Sequence, residues 1–329
     1  MATAVRKKRG KSSPSTNEDA PQPSNPLISD AKLKQLYSRM LQCRILDKRS
    51  RELRGGSGKA ARFLAAEAVT VGATLDLRRD DWLVPRKHDL LGKFVKGMPL
   101  LSIVSELRPG KASHGPGKQE PVAYDRSKYH SPFHIASSAE NPAAQLNLAS
   151  GIALALQAKK TGNIVMAFCG DTSDSGERWQ KALAFAGRHC LPLLVVVQTK
   201  ASPKLPPARA KKTIASLLSE GNLCQVPIIP VDADDVVAIY RVAYESIHKA
   251  RHGGGPTLIQ AISLPHLPNG DSSKEHVKGR PDAIAKMEVY LAAKALFSPS
   301  WKQQLIDTFN KDVDSALKTG KKHPSPNRE

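Results

Sequence analysis

The sequence lacks the features that mark membrane, secreted and nucleic-acid-binding chains. No run of about eighteen apolar residues occurs, so no membrane-spanning helix is expected. The opening stretch, MATAVRKKRGKSSPSTNEDAPQPSNP, contains no apolar core of the kind a secretory leader needs. Only four cysteines are present, Cys43, Cys169, Cys190 and Cys224, and none has metal-ligand spacing. In mostly apolar company they read as reduced core thiols of a cytoplasmic protein. Aromatic residues are 5% of the chain, too few for the stacking platforms of single-stranded nucleic-acid binders. Acidic residues are scarce as well: 30 Asp and Glu against 50 Lys and Arg leave a net charge of +20. That excess attracts polyanions, acidic proteins or phosphorylated small molecules. The basic residues are spread along the chain, however, which argues against a dedicated nucleic-acid face.

What is present describes a globular chain. Apolar residues make up 40% and charged residues 24% of 329 positions, and the mean hydropathy is -0.37. Residues 1–29 carry Lys, Arg, Ser and Pro with almost no large apolar residue, the composition of a disordered basic arm. Leu33, Leu36, Tyr37, Met40 and Leu41 then fall at helical spacing, with Asp30 as the expected cap. RGGSGKAARF (54–63) reads as a loop, and a second helix runs through Ala65–Leu75. DDWLVPRKHD (80–89) reads as a turn, a short strand and a loop. Residues 109–142 form a long Gly-, Pro- and His-rich connection, a length that is usually functional or mobile.

The middle of the chain is the most legible. An Ala/Leu-rich helix over Ala143–Lys159 gives way to IVMAFC (164–169), a continuous apolar run suited to a buried parallel strand. GDTSDSG follows as a loop, and ERWQKALAFAGRH (177–189) places Trp179, Leu183 and Ala186 on one helical face. LPLLVVV (191–197) is another buried strand. A strand–helix–strand crossover of this kind joins parallel strands. The pattern repeats in VPIIPVD (226–232), a helix over 234–251, and PTLIQAISL (256–264); helices then finish the chain near Leu317. Alternation of this kind predicts an α/β fold, a mostly parallel sheet with helices on both faces.

Ligands of open α/β sheets bind beyond the carboxyl ends of the strands. One strand ends at Gly170-Asp171 and its neighbour at Gln198-Thr199-Lys200, so Asp171 and Lys200 are expected to converge on one crevice. A solvated loop with an incidental ion pair is the plainer interpretation of the same residues.

At these positions a resemblance enters. GDTSDSGERWQKALAFAGRHCLPLLVVVQTK (170–200) resembles the thiamine-diphosphate fingerprint of the alpha subunit of 2-oxoacid dehydrogenases. Those subunits belong to the decarboxylating components for pyruvate and branched-chain oxoacids. The family pattern is Gly-Asp-Gly, a helix, an apolar strand opening on Leu-Pro, and Glu-Asn-Asn. Further blocks follow in the family's order: AAEAVTVGA (65–73), DDWLVPRKHDLLGKFVKGMPL, AAQLNLASGIALALQAKK (143–160), and VDADDVVAIYRVAYESIHKARHGGGPTLIQ (231–260). The resemblance covers about residues 30–310, leaving 311–329 as a helical end and disordered tail. It implies the thiamine-diphosphate-binding fold and a cofactor of thiamine diphosphate held through magnesium. It also implies a beta subunit in a heterotetramer and a dihydrolipoyl acyltransferase core as partners.

Carried over residue by residue, the resemblance assigns the cofactor site to Lys87, His88, Gln145, Gly170, Asp171, Thr172, Thr199 and Lys200, with Asp171 as metal ligand and His266 as catalytic residue. Asp271 accompanies His266 in HLPNGD. The departures are as telling. Thr172 replaces the second glycine of Gly-Asp-Gly, and Thr199-Lys200 stand where the family has Asn-Asn. Lys87-His88 replace Tyr-Arg, and Leu90-Leu91 replace His-Gly. Lysine has three donors and no acceptor, so it cannot ligate magnesium, which demands near-ideal octahedral oxygen geometry.

Three readings stand. The chain is an active subunit that decarboxylates a 2-oxoacid and passes the acyl group to lipoamide. Alternatively it is a pseudoenzyme that keeps fold and pairing surface, with Asp171 and Lys200 paired in place of the metal. The third is a metal-independent diphosphate binder using Lys200, Lys87 and His88. The ligand chemistry favours the second. Glu67 is open between a pair with a nearby Arg and a site role. Asp174 is expected to cap a helix, Trp179 to lie in the core, and His114, His130 and His134 to be solvated loop histidines.

Overall fold

The computed structural model describes residues 28–53, 66–86, 89–107, 133–139, 141–170, 176–200, 226–263 and 282–322. Helix α1 (Asp30–Leu53) and helix α2 (Ala66–Thr74) precede strand β1 (Trp82–Val84). Two short helices follow, α3 (Leu90–Val95) and α4 (Leu100–Leu107), and then α5 (Pro142–Ala158). The expected crossover is β2 (Val165–Gly170), α6 (Gly176–Arg188) and β3 (Leu193–Lys200). The chain continues as β4 (Ile228–Asp232), α7 (Val236–Arg251), β5 (Thr257–Ser263), α8 (Ala283–Ala293) and α9 (Pro299–Lys322).

All pairings in the sheet are parallel, in the order β1-β2-β3-β5-β4. The fold is thus the predicted α/β arrangement, with β2 and β3 as neighbours and Gly170 opposite Gln198. Side chains alternate across the pleat. Val165, Ala167, Cys169, Leu193, Val195 and Val197 pack against α5 and α6 on one face. Met166, Phe168, Leu194, Val196, Ile259 and Ala261 face the larger layer containing α1, α2, α7, α8 and α9. Two buried faces explain why these strands are continuous apolar runs. Pro230 falls on β4, at the edge of the sheet, where a missing N–H is tolerated.

Local chemistry sets several boundaries. Asn141 caps α5, accepting from the Ala144 N–H, and Pro142 opens its first turn. Asp235 caps α7 and Asp282 caps α8. In α2, a side chain at Gly72 would meet Ile239 Cγ2 at 2.9 Å and the Val236 carbonyl at 3.1 Å, so glycine is what lets α2 and α7 approach. Trp179 is fully buried, as expected.

Other expectations are corrected. The cap of α1 is Ser29, whose Oγ accepts from the Lys32 N–H at 3.3 Å; Asp30 sits within the first turn. The last helix continues past Leu317 to Lys322, with Phe309, Val313 and Ala316 buried along it. Cys190 is exposed rather than in the core, on a turn residue with φ of 47° after α6. His134 is not simply solvated: its ring stands edge-on to Trp82 at 5.3 Å between centroids, and Nδ1 lies 3.3 Å from the Arg79 carbonyl oxygen. The loop 54–63, most of the stretch 109–142, Cys224, His114, His130 and Asp174 lie outside the described residues.

The amino edge of the sheet is locked by charge. Asp81 is fully buried; its carboxylate accepts from Arg251 Nη1 at 3.0 Å and Nη2 at 2.8 Å, and from the backbone N–H groups of Ile164 and Arg78. Beside it Lys96 donates to the Arg78 and Arg79 carbonyls at 2.6 and 2.9 Å. Burial lowers the Lys96 pKa, against the pull of Asp81 and Asp80.

Candidate functional site

Because the strands are parallel, Val84, Gly170, Lys200 and Ser263 bring their carboxyl ends to one edge of the sheet. This is where an open α/β sheet binds ligands. Among the described residues, a side chain built at Gly170 would meet nothing within 4 Å.

Arg86, two residues beyond β1, reaches across this edge. Its guanidinium carbon lies 5.8 Å from the centroid of the Phe168 ring on β2. Nη1 donates to Gln198 Oε1 on β3 at 3.1 Å. Gln198 Nε2 in turn donates to Ser263 Oγ on β5 at 3.3 Å. Polar side chains thereby link β1, β3 and β5 over the end of β2. Arg86 Nε also lies 4.0 Å from Asp89, which caps α3 through the Gly92 N–H. Burial raises the pKa of the Cys169 thiol to about 12, with Trp179 and Arg86 pulling the other way, so it is a protonated core group.

Gln145 is buried, and its amide serves the backbone. Oε1 accepts from the Ala139 N–H at 2.6 Å. Nε2 donates to the Pro85 carbonyl in a close contact and to the Val84 carbonyl at 3.3 Å. It thus ties α5 to the end of β1 and to the segment before α5, and it orients the turn that carries Arg86. Thr199 is buried, with Oγ1 accepting from Gln260 Nε2 at 3.4 Å. The backbone of Lys200 ends β3 opposite Ser263.

Gly170, Gln145 and Thr199 are therefore brought to one edge, with Lys200 at its strand end. The side chain of Lys200 lies outside the described residues, as do Lys87, His88, Asp171, Thr172, His266 and Asp271. Glu67 pairs with Arg44, which also donates to Asp282 at 2.8 Å. Burial opposes the charge on Arg44, but these two carboxylates more than offset it and raise its pKa. Sequence reasoning passed over Arg86 and Gln198. A usable signal existed for each: Arg86 follows Pro85, the residue just past the strand, and Gln198 stands first in the triplet aligned with Glu-Asn-Asn.

At the end of β3 the described residues are Thr199 and Lys200, while Asp171 lies outside the described residues. Among the described residues no three His, Cys, Asp or Glu side chains are grouped so as to hold a metal ion. The residue at the end of β3 is a lysine, which offers a metal no lone pair while protonated. The neighbouring hydroxyl, Thr199 Oγ1, is turned to Gln260. Among the described residues, no helix is long and apolar enough to cross a membrane.

Comparison with known proteins gives the same picture over a longer stretch. The dehydrogenase E1 component family pattern matches residues 37–329. The pyruvate dehydrogenase E1 component subunit alpha of Staphylococcus aureus strain Mu50 is 27% identical over 306 residues, covering 89% of this chain and 79% of that protein. The protein of the same name from Staphylococcus epidermidis is 26% identical, with the same coverage of 89% and 79%. A match that begins inside α1 and runs through all five strands and the helices around them makes this chain a member of the dehydrogenase E1 component family.

Proposed function

We propose that this chain is the alpha-type subunit of a cytoplasmic 2-oxoacid dehydrogenase component that retains a structural or regulatory role and has lost cofactor-dependent turnover. The relatives named above are alpha subunits of a pyruvate dehydrogenase component, and that assignment is carried to this chain as an alpha-like role. Its partners on this reading are a beta subunit, in a heterotetramer, and the dihydrolipoyl acyltransferase core. The observation that carries this reading is Lys200 at the end of β3, where the family pattern that the sequence resembles has an asparagine, whose oxygen could serve magnesium. An ammonium cannot replace that ligand, and magnesium does not accept a distorted shell. Thr172 and the Lys87-His88 pair depart from the same cofactor pattern.

A second reading, metal-independent binding of a diphosphate, is favoured by one feature. Arg86 places a fixed guanidinium at the crevice, where it supplies positive charge with no metal. One experiment separates the two: thermal unfolding with thiamine diphosphate, with and without magnesium. Ligand binding raises Tm by mass action, so silence in both arms is the expected result. A shift indifferent to magnesium selects the second reading. A shift that needs magnesium, with 2-oxoacid decarboxylation after mixing with a beta subunit, overturns both.

A further inference from the structure

Parallel strands gather their amino ends at one edge of the sheet, opposite the crevice. The segments leading into β1 (77–81), β2 (159–164), β3 (188–192) and β5 (248–256) therefore follow one another in the order of the sheet. Hydrogen bonds tie them together. Arg251 reaches both Asp81 and the Gly162 carbonyl, and Gln157 Nε2 donates to the His189 and Cys190 carbonyls at 3.1 and 3.2 Å. A side chain built at Gly255 would meet Cys190 Cα at 3.4 Å, so the segments before β3 and β5 pack closely.

The charge on this edge is one-sided. The four segments hold seven Lys and Arg but only two acidic residues, Asp80 and Asp81, and Asp81 is buried against Arg251. Arg78, Arg79, Lys159, Lys160 and Arg188 are exposed, and among the described residues none of these five side chains has a carboxylate partner. On the helical layer, by contrast, Lys32 is matched with Asp76, Arg51 with Asp47 and Lys302 with Glu288. Basic residues near helix carboxyl ends ordinarily serve the open carbonyls there. Here other side chains serve them: Lys96 donates to the Arg78 and Arg79 carbonyls, Arg251 to Gly162, and Lys249 Nζ to Pro256 at 3.1 Å. The five exposed cations have no such task.

We infer that this edge docks an extended acidic segment of a partner protein, its carboxylates lying across the starts of β1, β2 and β3. Neighbouring strands are about 4.8 Å apart, so the three groups of cations spread over about 10 Å. An extended chain rises about 3.3 Å per residue, so a short run of Asp or Glu reaches all three groups. His189, His248 and His252 carry the stripe on towards β5 as exposed imidazoles. The four segments contain no Phe, Tyr or Trp, so they offer nucleic-acid bases no stacking surface. The edge lies across the sheet from the crevice, so the inference holds whether or not the chain binds a cofactor.

The test is the fluorescence anisotropy of a labelled oligoglutamate peptide titrated with the full chain. Saturable binding at low salt is expected, weakening as salt rises because the contact is exposed charge. Lys159→Glu with Lys160→Glu, and separately Arg78→Glu with Arg79→Glu, are each expected to weaken it about fivefold or more. Lys311→Glu with Lys318→Glu makes the same charge change at exposed positions of α9 and is expected to alter binding less than about twofold. That control separates this edge from the general attraction of a chain of net charge +20. Carbodiimide coupling of the peptide carboxylates to lysine is expected to mark Lys159 or Lys160. Thermal unfolding by circular dichroism checks that each variant folds, and Arg188→Glu provides a third, single-site variant. The inference fails if the peptide does not bind, or if the α9 variant weakens binding as much as the edge variants do. It also fails if an oligouridylate of matched charge binds more tightly than the peptide and is lost with the same variants, which would make the edge a nucleic-acid surface. None of these readouts involves cofactor binding, so they are separate from the test of turnover.

Discussion

Replacing Gln145 by alanine separates two roles that one residue type can play at the edge of a sheet. A glutamine that contacts a ligand has donors to spare, and its loss is felt only when ligand is present. Gln145 instead serves Ala139, Val84 and Pro85, and the bonds to Val84 and Pro85 are buried. Truncation takes this donor from both carbonyls, in a place water does not readily enter. A buried orphan of this kind costs about 1–3 kcal/mol, and the small cavity adds to it. Gln145→Ala is therefore expected to destabilise the ligand-free chain by about 2–4 kcal/mol, a fall in Tm of about 4–10 °C for a domain of this size. Gln145→Glu keeps the acceptor for Ala139 but turns a carboxylate towards two carbonyl oxygens, and should cost at least as much. Urea unfolding followed by circular dichroism, without any ligand, is the assay. A change below about 0.5 kcal/mol for both variants would refute the argument, because surface substitutions typically fall in that range.

Three further outcomes follow from other contacts. Asp81→Ala removes the carboxylate from a buried pair and leaves Arg251 and the Ile164 N–H without it; a loss of about 3–5 kcal/mol in urea unfolding is expected, and less than 1 would contradict the pairing. Position-resolved alkylation at pH 8 should modify exposed Cys190 quickly and spare buried Cys43 and Cys169 until the chain unfolds. Equal labelling rates at all three would refute the burial pattern. Burial raises the pKa of Asp282, but the Ala285 N–H and Arg44 outweigh it and hold the carboxyl below its ordinary 3.8. Its contribution is therefore present above that value and lost as pH falls through the folded value, so Asp282→Asn should flatten the acid-side loss of stability below about pH 4. Parallel urea midpoints for wild type and variant between pH 5 and 3 would count against this.

Most of the sheet was readable because its strands are buried on both faces. Runs such as IVMAFC and LPLLVVV leave no alternation to confuse with a surface strand, and Gly, Pro and Asn punctuate them. The crossover helix was readable from Trp179, Leu183 and Ala186 on one face, all of which are buried. The short helices α3 and α4 were not anticipated. Each is too short for helical periodicity to stand out, and the Asp89 cap of α3 lay within a segment that read as loop. Cys190 misled because apolar neighbours in sequence do not imply an apolar environment at a turn after a helix. Of the candidate site, Gln145, Gly170 and Thr199 were named from sequence, and all three lie at the carboxyl edge of the sheet. What Gln145 does there was not readable, because two of its backbone partners, at the end of β1 and just after it, lie about 60 residues away.

The sequence by itself determined the class of fold, the parallel pairing of β2 with β3, the family, and the lysine that ends β3 at position 200. These follow from hydrophobic runs, crossover handedness and the donor chemistry of a side chain, each a property of residues close together in the chain. Only the tertiary structure decided that Arg86 reaches from the end of β1 to Gln198 and that Gln145 clamps backbone. Those depend on which distant segments the sheet order sets side by side, and hydrogen-bond partners and burial exist only once that order is in place.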